Sequence, residues 1–382
     1  MAWRYIIQRA LSGEILDWDL PLKRDGLSWA LSGAGSLTGT ISPDDKLLRN
    51  PDGSTLVIEE WGTFIYAEAD GEIRWGGIII SSNFSDDEWR IEAAGFTTYP
   101  NGIPYLGEYS EINLDPANAV KELWRHAQSF PDSNLNVTVT ADPTKTILGT
   151  PALSGDGTNL DPRTGQVIAT GTTVEASPYE LNYWTAKDCG TEISALAKLA
   201  PFDFTETHYW DGDVIRHRVN FVYPRVGRRR DDLAFVQGDN VSSVIAFTGT
   251  GDDFANEVYG IGAGEGRAVL HRATAVRNNR LRRVAVYTDK AVVETSRLDA
   301  LIAEELRYRM GKLEVTSISV IDHPNAQIGS WQLGDDILIS ATVPWLGDVD
   351  LWCRVIGWSL TDEHTASLSL ARSDSFFYGG AS

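Results

Sequence analysis

Three consecutive acidic residues, Asp86, Asp87 and Glu88, are the first candidates for chemistry in this chain. Glycoside hydrolases need two carboxyl groups roughly 5–10 Å apart, one as acid and one as base or nucleophile. Adjacent acids in a hairpin turn are usually solvated, and Asp362-Glu363 repeat the pattern in a second predicted turn. We therefore expect these acids to serve as turn residues. The thirteen tryptophans, whose rings can stack on sugars, keep a glycan-binding or glycan-cleaving protein open as the alternative.

The histidines and cysteines form no motif for a metal or a nucleophile. The six histidines do not have the spacing of a helical zinc site, although His208 and His217 flank one predicted hairpin and could pair across it. Cys189 and Cys353 are too few for a disulfide framework, which indicates folding in a reducing cytoplasm. No serine stands in a Gly-x-Ser-x-Gly elbow. We expect no catalytic residue, no cofactor and no metal.

Length and charge indicate a globular chain of two to three domains. It has 382 residues, of which 42% are hydrophobic and 23% charged. The formal net charge of −20 argues against a nucleic-acid-binding surface, because each phosphate contact needs a local cation. No apolar run approaches the ~18 residues of a membrane helix. The N-terminus lacks the apolar core and cleavage site of a signal peptide.

Short strands at spacings of about 8–12 residues dominate both ends of the sequence and predict small barrels or sandwiches. We expect a mainly β fold with α+β insertions, in which two small β-barrel domains accompany an α+β domain. The expected domains are a first β-barrel at 1–100, an α+β domain at 101–230, a second β-barrel at 231–374 that includes a helix at 294–311, and a flexible C-terminus at 375–382.

Three segments change to the period of a helix. Asp115 is a favourable N-cap and Pro116 suits the first helical position, which places Trp124 on the apolar face of the first helix. The second helix is predicted at 188–200. The third, at 296–310, carries the longest apolar stripe and must therefore be docked against another element.

Two distant segments, 71–94 and 347–371, predict similar hairpins. Aligning Trp75 with Trp352, followed by a one-residue slip, places Phe84 on Leu360 and brings the two acidic turns together. Chance similarity and duplication both remain open at this stage. Duplication would mean that one small β-domain was built twice.

Two stretches have unusual composition. Residues 141–177 are rich in Gly, Thr, Pro, Asp and Ser, and long loops of this kind are usually functional or mobile. A calcium loop does not fit, because position 167 is valine instead of glutamate, so a subunit-contacting arm or a solvated insertion is expected. Glycine at every second position from 260 to 266 leaves one strand face bare for close packing.

The segment 267–288 is basic within an acidic chain. It is predicted to be a hairpin that turns at Asn278-Asn279, and it holds six arginines and no acid. A contact with an acidic surface, such as a neighbouring copy, a solvated hairpin and a DNA contact are the three interpretations. The candidate interface residues are Arg267, Arg272, Arg277, Arg280, Arg282 and Arg283.

The order of segments along the chain also resembles one family. The segments that carry the resemblance are LSWALSGAGSLTGTISPDD, WRIEAAGF, TEISALAKLAPFDF, GDNVSS, FANEVYGIGAGEG, ETSRLDALIAEELRYRMGK and IGSWQLGDDILIS. Together they resemble the tail-hub (minor tail) proteins of long-tailed phages, particularly those that infect actinobacteria. These are similar in fold to the baseplate hubs of contractile phages and to type VI secretion spike hubs.

This resemblance implies a structural role at the tail tip of a virion, after synthesis in the host cytoplasm. Such hubs are homotrimers with two β-barrels per chain, so that six barrels form a ring between a sixfold tail tube and a threefold tip. The implied partners are the distal tail protein ring, the tail tube, the tape-measure C-terminus and tip or spike proteins. Genome DNA passes through the ring without sequence-specific binding.

Overall fold

The computed structural model describes residues 3–42, 57–85, 88–149, 157–160, 167–170, 177–200, 202–242, 254–264, 266, 269–289, 292, 295–310 and 315–373. These ranges contain 22 strands and three α-helices, so the protein is mainly β, as the sequence predicts. The described residues fall into two compact units. The first holds those of Met1–Gly227 and Gly357–Glu363, and the second those of Arg228–Ile356 and His364–Phe377.

The first unit begins with an antiparallel sheet. Its strands are β1 (Trp3–Arg9), β2 (Ile15–Asp17), β3 (Lys23–Ala30), β4 (Ser36–Ile41), β5 (Thr63–Ala69), β6 (Glu72–Phe84) and β7 (Trp89–Ala94). They lie in the order β3-β4-β7-β6-β5-β1-β2. Every residue of β5 is buried, so both faces of the sheet are covered at this strand. Residues 357–360 also pair with β3 and belong to this unit.

An α+β part completes the first unit. Its elements are β8 (Glu108–Glu111), α1 (Pro116–Ala127), β9 (Val137–Ala141), β10 (Gly157–Leu160), β11 (Val167–Thr170), β12 (Tyr179–Asn182), α2 (Cys189–Leu199), β13 (Asp203–Asp211) and β14 (Val214–Val222). The carboxylate of Asp115 accepts from the backbone N–H of Ala117 at 2.8 Å and caps α1, and Asp188 caps α2 in the same way. Both predicted helices and the buried Trp124 are confirmed.

The predicted loop at 141–177 contains secondary structure. Within it β10 and β11 pair with each other as an antiparallel hairpin, with Gly157 opposite Thr170 and Leu160 opposite Val167. Residues 150–156, 161–166 and 171–176 lie outside the described residues. The interpretation of this stretch as a subunit-contacting arm or a solvated insertion stays a prediction.

The second unit contains two groups of elements. They are β15 (Arg229–Val236), β16 (Glu257–Ile261), β17 (His271–Ala275), β18 (Val284–Thr288), α3 (Thr295–Met310), β19 (Ser317–Ile321), β20 (Asp336–Val343), β21 (Gly347–Leu360) and β22 (Thr365–Arg372). One sheet has the order β15-β20-β21-β22-β19. Isolated β-bridges join Val241 to Gln237, next to β15, and to Val320 in β19. Val241 thus links the two edge strands of this sheet, which surrounds the buried Trp331 and Phe235.

The two sheets share one arrangement, which supports duplication over chance similarity. In chain order β1, β4, β5, β6 and β7 correspond to β15, β19, β20, β21 and β22, and the neighbours match: β4-β7-β6-β5-β1 against β19-β22-β21-β20-β15. Four residues separate the long strands of each hairpin, 85–88 in the first and 361–364 in the second. The exception is direction, since β1 is antiparallel to β5 whereas β15 is parallel to β20.

The predicted hairpin at 267–288 is wrong. Strands β17 and β18 do not pair with each other, because β16 lies between them, antiparallel to β17 and parallel to β18. Asn256, just before β16, fixes the connecting loop through its side chain. It accepts from the N–H of Arg283 at 2.9 Å and donates to the carbonyl of Leu281 at 3.2 Å and to Asn278 at 3.3 Å. The Asn278-Asn279 turn belongs to this longer connection.

Candidate interaction surfaces

One face of the β17-β16-β18 sheet is covered by α3. Val258 packs there with Leu298, Leu301, Ile302 and Leu306, all of them buried. The helix is docked, as its apolar stripe predicts. Of the alternating glycines only Gly260 lies in β16, which ends at Ile261, and it permits this contact, since a Cβ built on Gly260 would lie 2.5 Å from Cγ2 of Ile302. A side chain at this position would push the helix off the sheet.

The opposite face of this sheet, which we call the open face, is not covered by any described residue of its own unit. Strand alternation sends Tyr259, Val284 and Val286 to this side, and all three are exposed. The ring of Tyr259 stacks on His271 with 5.9 Å between centroids. Beyond His271, the neighbouring strand contributes the small side chains of Ala273 and Ala275 to this side, so the open face is shallow beside Tyr259.

Acids from outside the basic segment pair with several of the predicted interface arginines. Arg272 forms two hydrogen bonds with Asp299 of α3, at 2.7 and 3.0 Å, on the helix side of the sheet. Arg282 forms two with Glu257, at 2.8 and 2.6 Å, and Arg277 lies 3.5 Å from the same carboxylate. These bonds, chiefly that from Arg282, hold the pKa of Glu257 below its ordinary value.

The remaining arginines keep the end of the open face basic. The guanidinium of Arg280 lies 4.8 Å from the ring centroid of Phe254, and the Arg283 side chain is exposed. The connection holds four arginines, at positions 277, 280, 282 and 283, of which Arg277 and Arg282 pair with Glu257. Arg267 lies outside the described residues. Arg272 therefore lies on the helix side of the sheet, apart from the arginines at 277–283 that an acidic partner on the open face would meet.

A second exposed feature of the same unit was missed by sequence reasoning. The turn between β20 and β21 presents Trp345 with 93% of its surface exposed and Leu346 with 51%. Asp348 and Asp350 stand behind them on β21. We call residues 343–350 the hairpin tip. The Pro-Trp-Leu-Gly sequence at 344–347 is the only indication that the sequence offers, since an apolar turn is unusual.

The predicted pairing of two histidines across the β13–β14 hairpin is confirmed. His208 faces His217 in the strand register, with 3.5 Å between their Nδ1 atoms, and both are largely buried. Tyr66 donates to Gln8 at 2.8 Å and lies 3.2 Å from Nε2 of His217. Burial, reinforced by His208, lowers the pKa of His217 to about 3.

Residues suggested for glycan chemistry are not brought together by the described structure. Asp86 and Asp87 lie outside the described residues, and Glu88 is exposed. The exposed tryptophans at positions 18, 61, 184 and 345 lie in four separate turns or bends, and Trp18 stacks on Trp210 with 6.1 Å between ring centroids. Within the described ranges no group of three or more His, Cys, Asp or Glu side chains is placed to hold a metal ion. No helix in those ranges is long and apolar enough to cross a membrane.

No protein-family profile and no curated protein matches the sequence, but solved structures do match the fold. The 43 kDa tail protein of prophage MuSo2 from Shewanella oneidensis aligns with a TM-score of 0.56 and 12% identity, over 97% of this chain and 99% of that one. A tail protein from Neisseria meningitidis MC58 gives 0.55 and 13%, over 98% and 97%. Prophage tail protein gp18 from Listeria monocytogenes EGD-e gives 0.56 and 10%, over 97% and 95%.

The chain has the fold of a phage tail protein. This likeness runs from end to end and includes both β-sheets and the α+β part, so it is a match of the whole fold. The predicted resemblance to phage tail proteins is confirmed at the level of fold. Its narrower form, a hub from a phage of actinobacteria, stays a prediction.

Proposed function

We propose that this protein is a structural hub of a phage tail tip that works by shape and assembly, without catalysis. The end-to-end match with the fold of phage tail proteins carries the proposal, because it covers 95% or more of the three tail proteins named above. A tail-protein fold on an acidic chain fits a component that contacts other proteins and does not hold DNA.

The duplicated sheet supports a ring of three copies. Each chain has two sheets whose strands correspond in order, the one around β6–β7 and the one around β21–β22. In a homotrimer these would supply six similar modules, which suits a junction between a sixfold tail tube and a threefold tip. This arrangement corresponds to two β-barrel domains at 1–100 and 231–374 around an α+β domain at 101–230.

The proposed neighbours are the distal tail protein ring, the tail tube, the tape-measure C-terminus and tip or spike proteins. DNA would leave through the centre of the ring. The net charge of −20 supports this, because like charge keeps the genome from adhering during ejection. The protein would thus be found at the tail tip of the virion.

Imaging of purified particles of the encoding phage tests the proposal. We expect antibody labels against this chain at the distal end of the tail, and cryo-EM density there with six β-modules contributed by three copies. Labels elsewhere, or particles that lack the chain, would overturn it. Release of reducing sugar from host cell wall by the purified protein, lost in Asp86→Asn or Asp87→Asn, would instead favour a glycan-cleaving tail protein.

A further inference from the structure

We propose that the hairpin tip of one copy docks on the open face of a second copy. The inference names the contact that would join copies in the ring, and in that respect it rests on the proposed function. Both surfaces belong to the second unit, and none of the residues that the structure describes there covers either of them. The occupant is identified as a second copy by matching apolar and charged groups on the two surfaces.

The hairpin tip is a preorganised apolar knob with acidic sides. The N–H of Leu346 donates to the carbonyl of Val343 at 3.0 Å, and Gly347 has a φ of +76°, so the turn is closed. Behind it, Thr342 donates to Asp348 at 2.8 Å and Ser340 to Asp350 at 2.6 Å. A rigid, fully presented tryptophan loses little conformational entropy on binding.

The open face has the complementary properties. Tyr259 and Val286 form its apolar centre, and the small residues Ala273 and Ala275 leave room beside Tyr259 for an indole ring. Its basic end lies where Arg277 and Arg282 meet Glu257, with Arg283 exposed next to them. With Trp345 over the alanines, the acids of the tip would approach these arginines.

Charge makes a copy of this chain a specific partner. The chain as a whole is acidic, with 53 acids and 33 bases, so most of its surface repels another copy. The arginines of the open face form a basic patch on this acidic chain, and the acids of the hairpin tip carry the opposite charge. Like-charged surfaces elsewhere would discourage other orientations.

The two surfaces differ, so the contact is heterologous. A heterologous contact generates a ring when the rotation between copies closes, and each copy then gives one tip and accepts one tip. Trp345 is 93% exposed in its own copy, as expected for a side chain whose site lies on another molecule. A tryptophan anchor in a shallow apolar site is typical of an interface hot spot.

Two single variants and their mixture test this contact, with masses measured by sedimentation or mass photometry. Trp345→Ser removes the anchor, and Val286→Glu places an acid on the open face, where Val286 is 63% exposed and its replacement spares the core. Each variant alone should dissociate, with a dissociation constant raised at least about 30-fold. Mixed together they should form 1:1 pairs, because Val286→Glu retains its tip and Trp345→Ser retains its open face.

Controls and contrary outcomes are specific. Trp184→Ser and Val214→Glu change exposed residues of the first unit and should leave association unchanged. Association that survives both Trp345→Ser and Val286→Glu overturns the proposal. Loss with Trp345→Ser alone indicates tip-to-tip contact, and a wild-type chain that stays monomeric while its tip binds another tail protein assigns the tip to that protein. Each of these results rejects a second copy on the open face.

Failure here is distinguishable from failure of the proposed function. If antibodies against the chain label the tail tip but the two variants associate normally, the hub role stands and this contact is wrong. If the variants behave as expected but the chain is absent from particles, the contact stands and the hub role is wrong.

Discussion

At the scale of single residues, the buried histidine pair gives the fold a dependence on acid. Neutral His217 that donates from Nε2 to Tyr66 can accept at Nδ1 from His208, which satisfies both nitrogens of the His217 ring. A second proton on His217 would set N–H against N–H in a buried site. Burial is accordingly the main cause that lowers the pKa of His217 to about 3.

We expect stability to fall with pH in a way that depends on His217. Its folded pKa lies below the ordinary unfolded value of about 6.5, so its contribution is complete above pH 6.5 and is lost as pH falls toward 3. Between pH 6.5 and 4.5 the wild type should lose about 2 kcal/mol more free energy of unfolding than His217→Gln. Urea titrations at the two pH values measure this difference.

The exposed His271 supplies the matched control for this prediction. His271→Gln removes a histidine from the open face, where the ring is accessible to water. Its pH profile should parallel that of the wild type. Equal slopes for the wild type and His217→Gln would show that protonation of the buried pair costs the fold nothing.

At the scale of elements, the contact between α3 and the small sheet depends on a missing side chain. A Cβ on Gly260 would lie 2.5 Å from Ile302 and 3.1 Å from Leu298, closer than side chains pack. We expect Gly260→Ala to reduce the free energy of unfolding by about 1–3 kcal/mol through overpacking. Chemical denaturation of the purified chain measures the loss.

A double-mutant cycle separates this clash from other effects of the substitution. Ile302→Ala removes the methyl group that the new Cβ would strike, so Gly260→Ala should cost less in that background. Gly71→Ala supplies a contrast, because Gly71 has no neighbour within 4 Å and its cost comes from a φ of +82°. Additive effects at positions 260 and 302 would contradict close packing at this point.

Elements that depend on neighbouring residues could be predicted from the sequence, and pairings between distant strands could not. Asp115 and Asp188 identify helix starts because capping is local, and the hairpin at 71–94 follows from strands joined by a short turn. The insertion of β16 between β17 and β18 has no local cause, because Glu257 pairs with Val284 across 27 positions. The acids that pair with Arg272 and Arg282 were missed for the same reason.

At the scale of the whole molecule, the repeated strand order could be predicted from the sequence, whereas the exposed surfaces could not. The repeated strand order was visible as a weak repeat of hairpins, since core positions keep their period of two. The hairpin tip has no such period, because an exposed tryptophan reads in sequence like a buried one. Only the fold distinguishes Trp345 from the buried Trp331.

Each copy carries a net charge of −20, so copies that associate must overcome their mutual repulsion. Charge substitutions can therefore separate the effect of a local contact from the effect of overall charge. Asp348→Asn with Asp350→Asn removes two acids from the hairpin tip and so lowers the repulsion between whole copies. If those acids face the arginines of the open face, the double substitution should nevertheless raise the dissociation constant about threefold to tenfold at 150 mM salt. The reason is the loss of two exposed ion pairs between copies. Sedimentation at graded concentrations gives the dissociation constants.

Asp132→Asn with Asp213→Asn makes the same change in net charge at exposed turns of the first unit. At 10 mM salt, where charges act over about 30 Å, this control should strengthen association. At 150 mM the range falls to about 8 Å, and the control should have little effect while the tip variant still weakens binding. Equal dissociation constants for the two variants at both salt concentrations would mean that overall repulsion alone governs assembly. A local contact would instead make the constant depend on which acids are removed.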